Sequence, residues 1–234
     1  MGTGSTFDLL GTGLAPGDHH YRAYVGPPQD YDLVAAMTFN LLTTAGLRQQ
    51  HKLIDVGCGS LRAGRLFIPY LNVGNYVGVD PNEWLVREAI AHEIGEDLIR
   101  IKGPSLIFQS NLAGIDPLQA DYAVAQSIFS HASLGQVKNW LQDISGQLKS
   151  SGAFFATFIP GPEDYAGEDW VYPGCVNYRT ETMAEAAAGA GFRFTPLQWR
   201  HPRQTWALFF KPDFDLWWSD ETPLTWDAKI NAKK

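Results

Sequence analysis

The chain is poor in cysteine, in basic charge and in long apolar stretches. Only Cys58 and Cys175 occur among its 234 residues. A disulfide framework is therefore not expected, and the paired spacing of a zinc site is missing, so no metal is assigned. Reduced thiols predict a cytoplasmic setting. Lys and Arg number 18 against 25 Asp and Glu, for a net charge of −7. That balance argues against a nucleic-acid surface, which carries a basic excess. No apolar run approaches the ~20 residues of a membrane span, so no membrane partner is expected. Residues 1–17 are rich in Gly, Thr and Ser. They lack the basic start and apolar core of a signal peptide. No internal repeat or long low-complexity segment is visible.

Hydrophobic residues make up 45% and charged residues 18%, which suits one packed globular unit. The chain is organised around Lys52-Leu-Ile-Asp-Val-Gly-Cys-Gly-Ser-Leu-Arg-Ala-Gly-Arg-Leu66. Leu53, Ile54 and Val56 read as a buried strand carrying Asp55. Gly57 and Gly59 follow, and a helical run begins near Leu61. Strand, glycine turn and helix let backbone amides approach a ligand closely. Tyr76-Val-Gly-Val-Asp80 is a second apolar strand ending in an acid. An ionised Asp only accepts hydrogen bonds, so it suits the two hydroxyls of a ribose.

Two nucleotide folds compete for these signals. A dinucleotide fingerprint needs a third glycine, at position 62 in this register. Arg62 stands there, and Gly64 comes two residues late. The plain alternative is a strand–turn–helix unit with no ligand.

Further along, residues 31–45 place Leu33, Met37, Leu41 and Leu42 at helical spacing, with Gly46 as C-cap. Helix 61–71 follows the first strand, and Pro81-Asn82 starts the next helix. Residues 104–108 and 121–126 read as the third and fourth strands, and 152–158 as the fifth. Residues 134–148 form an amphipathic helix with Val137, Leu141, Ile144 and Leu148 on one face. This alternation predicts a parallel sheet with right-handed crossovers. Thr180 is the expected cap of a helix over 181–190. Runs 192–200 and 204–211 are too close for a crossover, so they should pair as an antiparallel hairpin. The expectation is an α/β, Rossmann-like, seven-stranded, mostly parallel sheet. It has an antiparallel C-terminal hairpin and helices on both faces. Residues 1–29 are read as a cover segment, 30–211 as the domain, and 212–234 as a tail carrying Trp217, Trp218 and Trp226.

Asp55-Val-Gly-Cys-Gly59 resembles the first motif of class I S-adenosylmethionine (SAM) methyltransferases, with Leu61 in place of a further glycine. The terminal hairpin fits that family and discriminates against an NAD fold. Asp121-Tyr-Ala-Val-Ala-Gln-Ser-Ile-Phe-Ser-His131 is similar to the fourth-strand region of its small-molecule branch. Ser150-Ser-Gly-Ala-Phe154 resembles that branch's Leu-Lys-Pro-Gly-Gly turn. The resemblance implies SAM as cofactor and S-adenosylhomocysteine (SAH) as product. By position it places Asp55, Gly57, Cys58 and Gly59 around the methionine moiety and Asp80 on the ribose. Pro81 and Asn82 would flank the adenine, with Ser110, Asn111 and Leu112 near its amine and ring. Gln126 and Ser127 would touch the methionine portion, and Tyr24 the outer cover.

Methyl transfer to a hydroxyl benefits from a general base, and His131, past the fourth strand, is the candidate. A His that packs the next helix is the bland alternative. His201, in the hairpin turn, is the second candidate. The long loop 160–179 is expected to wall an acceptor pocket through Tyr165, Trp170, Tyr172, Tyr178 and Arg179, which suit an aromatic metabolite or a glycan ring. Its carboxylates Glu163, Asp164, Glu168 and Asp169 read as a solvated acidic loop. Gln126-Ser-Ile-Phe129 stands where DNA base methyltransferases carry Asn/Asp-Pro-Pro-aromatic. The expected reaction is O-methylation of a small-molecule or sugar-type hydroxyl, with a homodimer left open. An NAD-binding oxidoreductase and a non-catalytic SAM-binding module are the competing readings.

Overall fold

The structure, a computed structural model, describes residues 10–219 and 221–225. Residues 1–9 of the expected cover segment, and Trp226 of the tail, lie outside the described residues.

Alternate residues on each strand face opposite ways, and here both sides are apolar. β1 (Leu53–Val56) and β2 (Tyr76–Val79) are buried along their whole length. β3 (Ser105–Ile107) lies at one edge, and β4 (Ala120–Ala125) and β5 (Leu148–Phe158) continue the parallel core. β6 (Arg193–Pro196) and β7 (Thr205–Phe210) run antiparallel to each other, and β7 is antiparallel to β5. The seven-stranded order is β3-β2-β1-β4-β5-β7-β6.

Two apolar layers divide the strand residues by parity. Leu53, Tyr122, Val124, Phe155, Leu208 and Phe210 face one layer with α1 (Tyr31–Ala45), α2 (Gly64–Tyr70) and α3 (Glu83–Ala89). Ile54, Val56, Ala123, Phe154, Phe158 and Phe209 face the other. Val137, Leu141 and Ile144 of α5 (Leu134–Gln147) and Met183, Ala186 and Ala187 of α6 (Thr180–Gly189) complete that second layer. Helices thus cover both faces. At roughly 25 cal/mol per Å² of apolar surface removed from water, these layers supply the main drive to fold.

Several element ends differ from the sequence reading. α2 begins at Gly64 because the turn runs on through Leu61, whose φ is +52°. A short helix, α4 (Glu96–Lys102), was not expected, because none of its residues is fully buried and only Leu98 and Ile99 lean on the first layer. Thr180 is the first residue of α6, and Arg179 holds the cap position without a side-chain bond. The hairpin pairs over shorter strands, so residues 197–204 connect them rather than a three-residue turn. The tail packs despite its lack of period, with Trp218 and Leu224 in the first layer.

Strand order reverses between β1 and its neighbours β2 and β4. The crevice beyond the carboxyl ends of strands at such a point is where open α/β sheets bind ligands.

Candidate active site

The turn after β1 is built for close approach. Gly57 and Gly59 hold φ of +66° and +52°, which favour glycine. A Cβ at Gly57 would collide with Ile128, and one at Gly59 would lie 2.7 Å from Val25 Cγ1. The Gly57 amide donates to the Val79 carbonyl at 2.8 Å, which pins the turn to the end of β2.

Two adjoining clefts open over this turn. The first, about 760 Å³ with its open mouth, is lined by residues that include Tyr24, Asp55, Arg62, Gln126, His131 and Tyr172. The second, about 1100 Å³ with its mouth, is lined by Asp80, Pro81, Asn82, Ser110, Asn111 and Trp140 among others. Gly57, Asp80, Asn82, Ile128 and Trp170 border both.

Asp55 is buried and lines the first cleft. The Tyr76 hydroxyl donates to its Oδ2 at 2.7 Å. Burial raises its pKa from 3.8 to about 7, with Tyr76 and Arg62 pulling the other way. A buried carboxyl with so little compensation is poised for a cation beside it. Asp80 is also buried. Its Oδ2 accepts from the Gly59 amide at 3.0 Å, and its Oδ1 from the Asn82 amide at 2.8 Å and Nδ2 at 3.0 Å. A carboxylate offers about four acceptor positions, so Oδ2 keeps one for a ligand hydroxyl.

His131 stands at the first cleft under the loop. Its Nδ1 lies 2.6 Å from the Gly174 carbonyl oxygen. A carbonyl only accepts, so Nδ1 carries the proton and Nε2 keeps the lone pair. Burial lowers its pKa below 6.5, which keeps the ring neutral near pH 7. Tyr172 meets it edge-on at 4.9 Å between ring centres, and Trp170 at 5.6 Å.

His201 is placed differently from the sequence reading. It does not line either cleft. Its Nδ1 accepts from the Arg203 and Gln204 amides at 3.2 and 3.0 Å, and its Nε2 lies 3.2 Å from the Gln126 amide nitrogen. Burial, then Arg203 and Arg62, lowers its pKa to about 4. It buttresses Gln126 instead of facing an acceptor.

The loop after β5 brings only part of its aromatic set to the site. Trp170 and Tyr172 line the first cleft, and the Tyr172 hydroxyl donates to the Tyr24 carbonyl. Tyr178 is fully buried and its hydroxyl donates to the Ala132 carbonyl at 2.6 Å, so it belongs to the second apolar layer. Tyr165 packs against that layer too, and Arg179 is paired with Asp164 at 2.9 Å. Neither reaches a cleft. Leu112 is a core residue as well, with its amide donating to Asp143 Oδ2 at 3.2 Å. Tyr178, Tyr165 and Leu112 are turned toward the core, and Arg179 toward the surface, directions that an irregular loop sequence does not reveal.

Tyr24 lines the first cleft beside Trp84, at 5.2 Å edge-to-face. Gln126 and Ser127 follow the end of β4 there. Ser127 adopts φ of +62°, and its amide donates to Thr157 Oγ1 at 2.7 Å. The sequence reading missed Arg62 as a lining residue, since it registered only as a lost glycine. Trp140 of α5 was missed as well, because helical spacing assigned that face to solvent or core.

No protein-family model matches the chain. No curated protein matches it by sequence. Solved structures do match by shape. The magnesium protoporphyrin IX methyltransferase of Synechocystis PCC 6803, crystallised with SAH, shares 15% identity at a TM-score of 0.56. That match covers 78% of this chain and 86% of the other. An O-methyltransferase family protein from Burkholderia thailandensis shares 14% at a TM-score of 0.57, over 82% of this chain and 59% of the other. Human N-acetylserotonin methyltransferase, in complex with SAM, shares 17% at 0.54, over 87% and 62%. The chain therefore has the class I, Rossmann-like methyltransferase fold, as its motifs led one to expect.

Proposed function

We propose that this protein is a SAM-dependent methyltransferase acting on a hydroxyl of a small molecule or sugar-type acceptor. The observation that carries the reading is the cleft pair at the carboxyl ends of β1, β2 and β4. It has a buried acid at each of the first two strands and a neutral His131 beside them.

The bound cofactor would supply a methyl group already activated on a sulfonium. The chain's own residues would then do the rest. Asp80 would accept from the ribose through the open position on Oδ2. Pro81, Ser110 and Asn111 border the adenine. Gly57, Cys58 and Gly59 bring backbone close to the ligand, and Asp55 sits by the ammonium. Gln126, held by Arg62 and Ser127, and Ser127 itself would flank the methionine portion. His131 Nε2 takes the proton from the acceptor hydroxyl as that oxygen attacks, while the Gly174 carbonyl steadies the proton on Nδ1. Trp170, Tyr172 and Tyr24 wall the acceptor and exclude water. Holding the reacting atoms in line supplies several kcal/mol.

A thermal-shift comparison tests the reading. SAM or SAH should raise the melting temperature by several degrees, and NAD should not. Stabilisation by NAD alone would favour an oxidoreductase. Binding of SAH without turnover on a broad hydroxyl panel would favour a non-catalytic module.

A further inference from the structure

Ser127 holds φ of +62° where β4 opens into the first cleft, although it is not glycine. A left-handed backbone is costly for a residue with a Cβ, and it persists only where the surroundings enforce it. The Ser127 amide donates to Oγ1 of Thr157, which is fully buried on β5, at 2.7 Å. The Ser127 Oγ lies 2.8 Å from Gln204 Nε2 and 2.5 Å from Gln126 Nε2. Gln204 reaches a second hydroxyl as well, with its Nε2 3.1 Å from Oγ of the fully buried Ser130. Gln204 belongs to the connection between β6 and β7 and borders neither cleft. That connection is itself braced. Trp199 Nε1 donates to the Met37 carbonyl on α1 at 3.2 Å, and Arg203 pairs with Asp30.

One amide side chain therefore grips both ends of the turn from Ser127 to Ser130, and His131 is the next residue. Backbone bonds extend the grip. The His131 amide donates to the Ile128 carbonyl at 3.1 Å, and the Val176 amide to the Ser130 carbonyl at 2.8 Å. A hydroxyl both donates and accepts, so the grip holds whichever end of the amide faces the serines. The amide is also costly where it stands, because Gln204 Oε1 is buried with no partner among the described residues. A methionine of the same length would avoid that cost and leave both hydroxyls ungripped. We infer that Gln204 is a positioning residue of this site, which ties Ser127 to Ser130 and so fixes the turn that aims His131 Nε2 at the acceptor. The inference rests on the methyltransferase reading for what His131 is aimed at.

Magnetic resonance of the ¹⁵N-labelled full chain tests this without an acceptor. At about pH 8 the wild-type His131 should show the Nδ1–H form, held by the Gly174 carbonyl. Gln204→Met should turn it into a mixture with the Nε2–H form that a solvated imidazole favours. The same variant should speed hydrogen exchange at the His131 amide by about 10-fold. Gln204→Glu, whose carboxyl can bond both hydroxyls, should restore the wild-type tautomer. A purely structural Gln204 would lower the melting temperature in Gln204→Met and leave the His131 tautomer and exchange unchanged in the folded protein. That result overturns the inference. If Gln204→Met fails to fold, Ser130→Ala removes one of the two grips and is read in the same way. Calorimetry with SAH on the same proteins keeps the two readings apart. SAH binding by the wild type with an unmoved His131 in the variant removes Gln204 and leaves the methyltransferase reading in place. No SAH binding by the wild type overturns that reading and, with it, the role given to the turn.

Discussion

Burial makes Asp55 the residue with most to gain from a ligand. Its folded pKa of about 7 lies above the ordinary 3.8, so folding favours the protonated form. The stability is therefore full below pH 3.8 and falls as pH rises through 7. Asp55→Asn should raise the melting temperature at pH 8 by a margin on the order of 2–4 kcal/mol in stability, shrinking toward pH 4. The same variant should bind SAH more weakly. Thermal scans at several pH values check the first claim, and equal melting at pH 8 would contradict it. His131 works in the opposite sense. Its lowered pKa keeps Nε2 free to accept a proton, so turnover should hold as pH drops to about 6.5 and fail only below it. His131→Ala should lower turnover by about 10²–10⁴ with little change in SAH affinity. A parallel loss of affinity would make it a cofactor contact.

The loop after β5 is the element whose behaviour the sequence described least well. Read as a long stretch with no period, it resembles a loose lid. In the structure its stem is stitched down. The Val171 amide donates to the His131 carbonyl at 2.9 Å, Val176 to Ser130 at 2.8 Å, and Tyr178 to Ile159 at 3.0 Å. Glu168, Asp169 and Trp170 lie exposed beyond these ties. Hydrogen exchange should show slow amides at 171, 176 and 178 and fast ones near 166–169, with ligand protecting only the latter. Uniform fast exchange across the loop would restore the loose-lid picture. The strands and amphipathic helices were legible because period and burial coincide in them. Leu53, Ile54 and Val56 could be assigned from sequence, as could Val137, Leu141 and Ile144. Tyr178 and Tyr165 could not, since a side chain's direction in irregular backbone depends on contacts distant in sequence. α4 was illegible for the reverse reason: it is one short stretch with no fully buried residue.

At the scale of the whole molecule, the described part of the N-terminal segment closes the first cleft from above. Arg22 and Arg65 share Glu93 at 2.6 and 3.0 Å, beneath the Tyr31 ring, and join residues 21–25 to α2 and to the π-helical segment Ile90–Ile94 that continues α3. Removing the shared acid leaves the buried Arg22 and the partly buried Arg65 with only the largely exposed Asp32 as a partner. Glu93→Gln should cost about 3 kcal/mol and loosen Tyr24 from the cleft. Denaturant unfolding would check the loss, and an unchanged midpoint would show that the cluster is not what fastens the segment. The acids of the first two strands were legible from the glycine turn and the second apolar run, and the antiparallel end of the sheet from the closeness of its last two runs. The placement of Arg62 in the first cleft was not, because the sequence shows which residue follows the turn and not where its side chain lies. The central claim is that Asp80 and its neighbours receive the ribose of SAM. Titration of SAH into the wild type and Asp80→Ala tests it most directly. The account predicts saturable one-to-one binding weakened by about 1–3 kcal/mol in the variant. Absence of SAH binding in the wild type, or equal affinity in both, would contradict it.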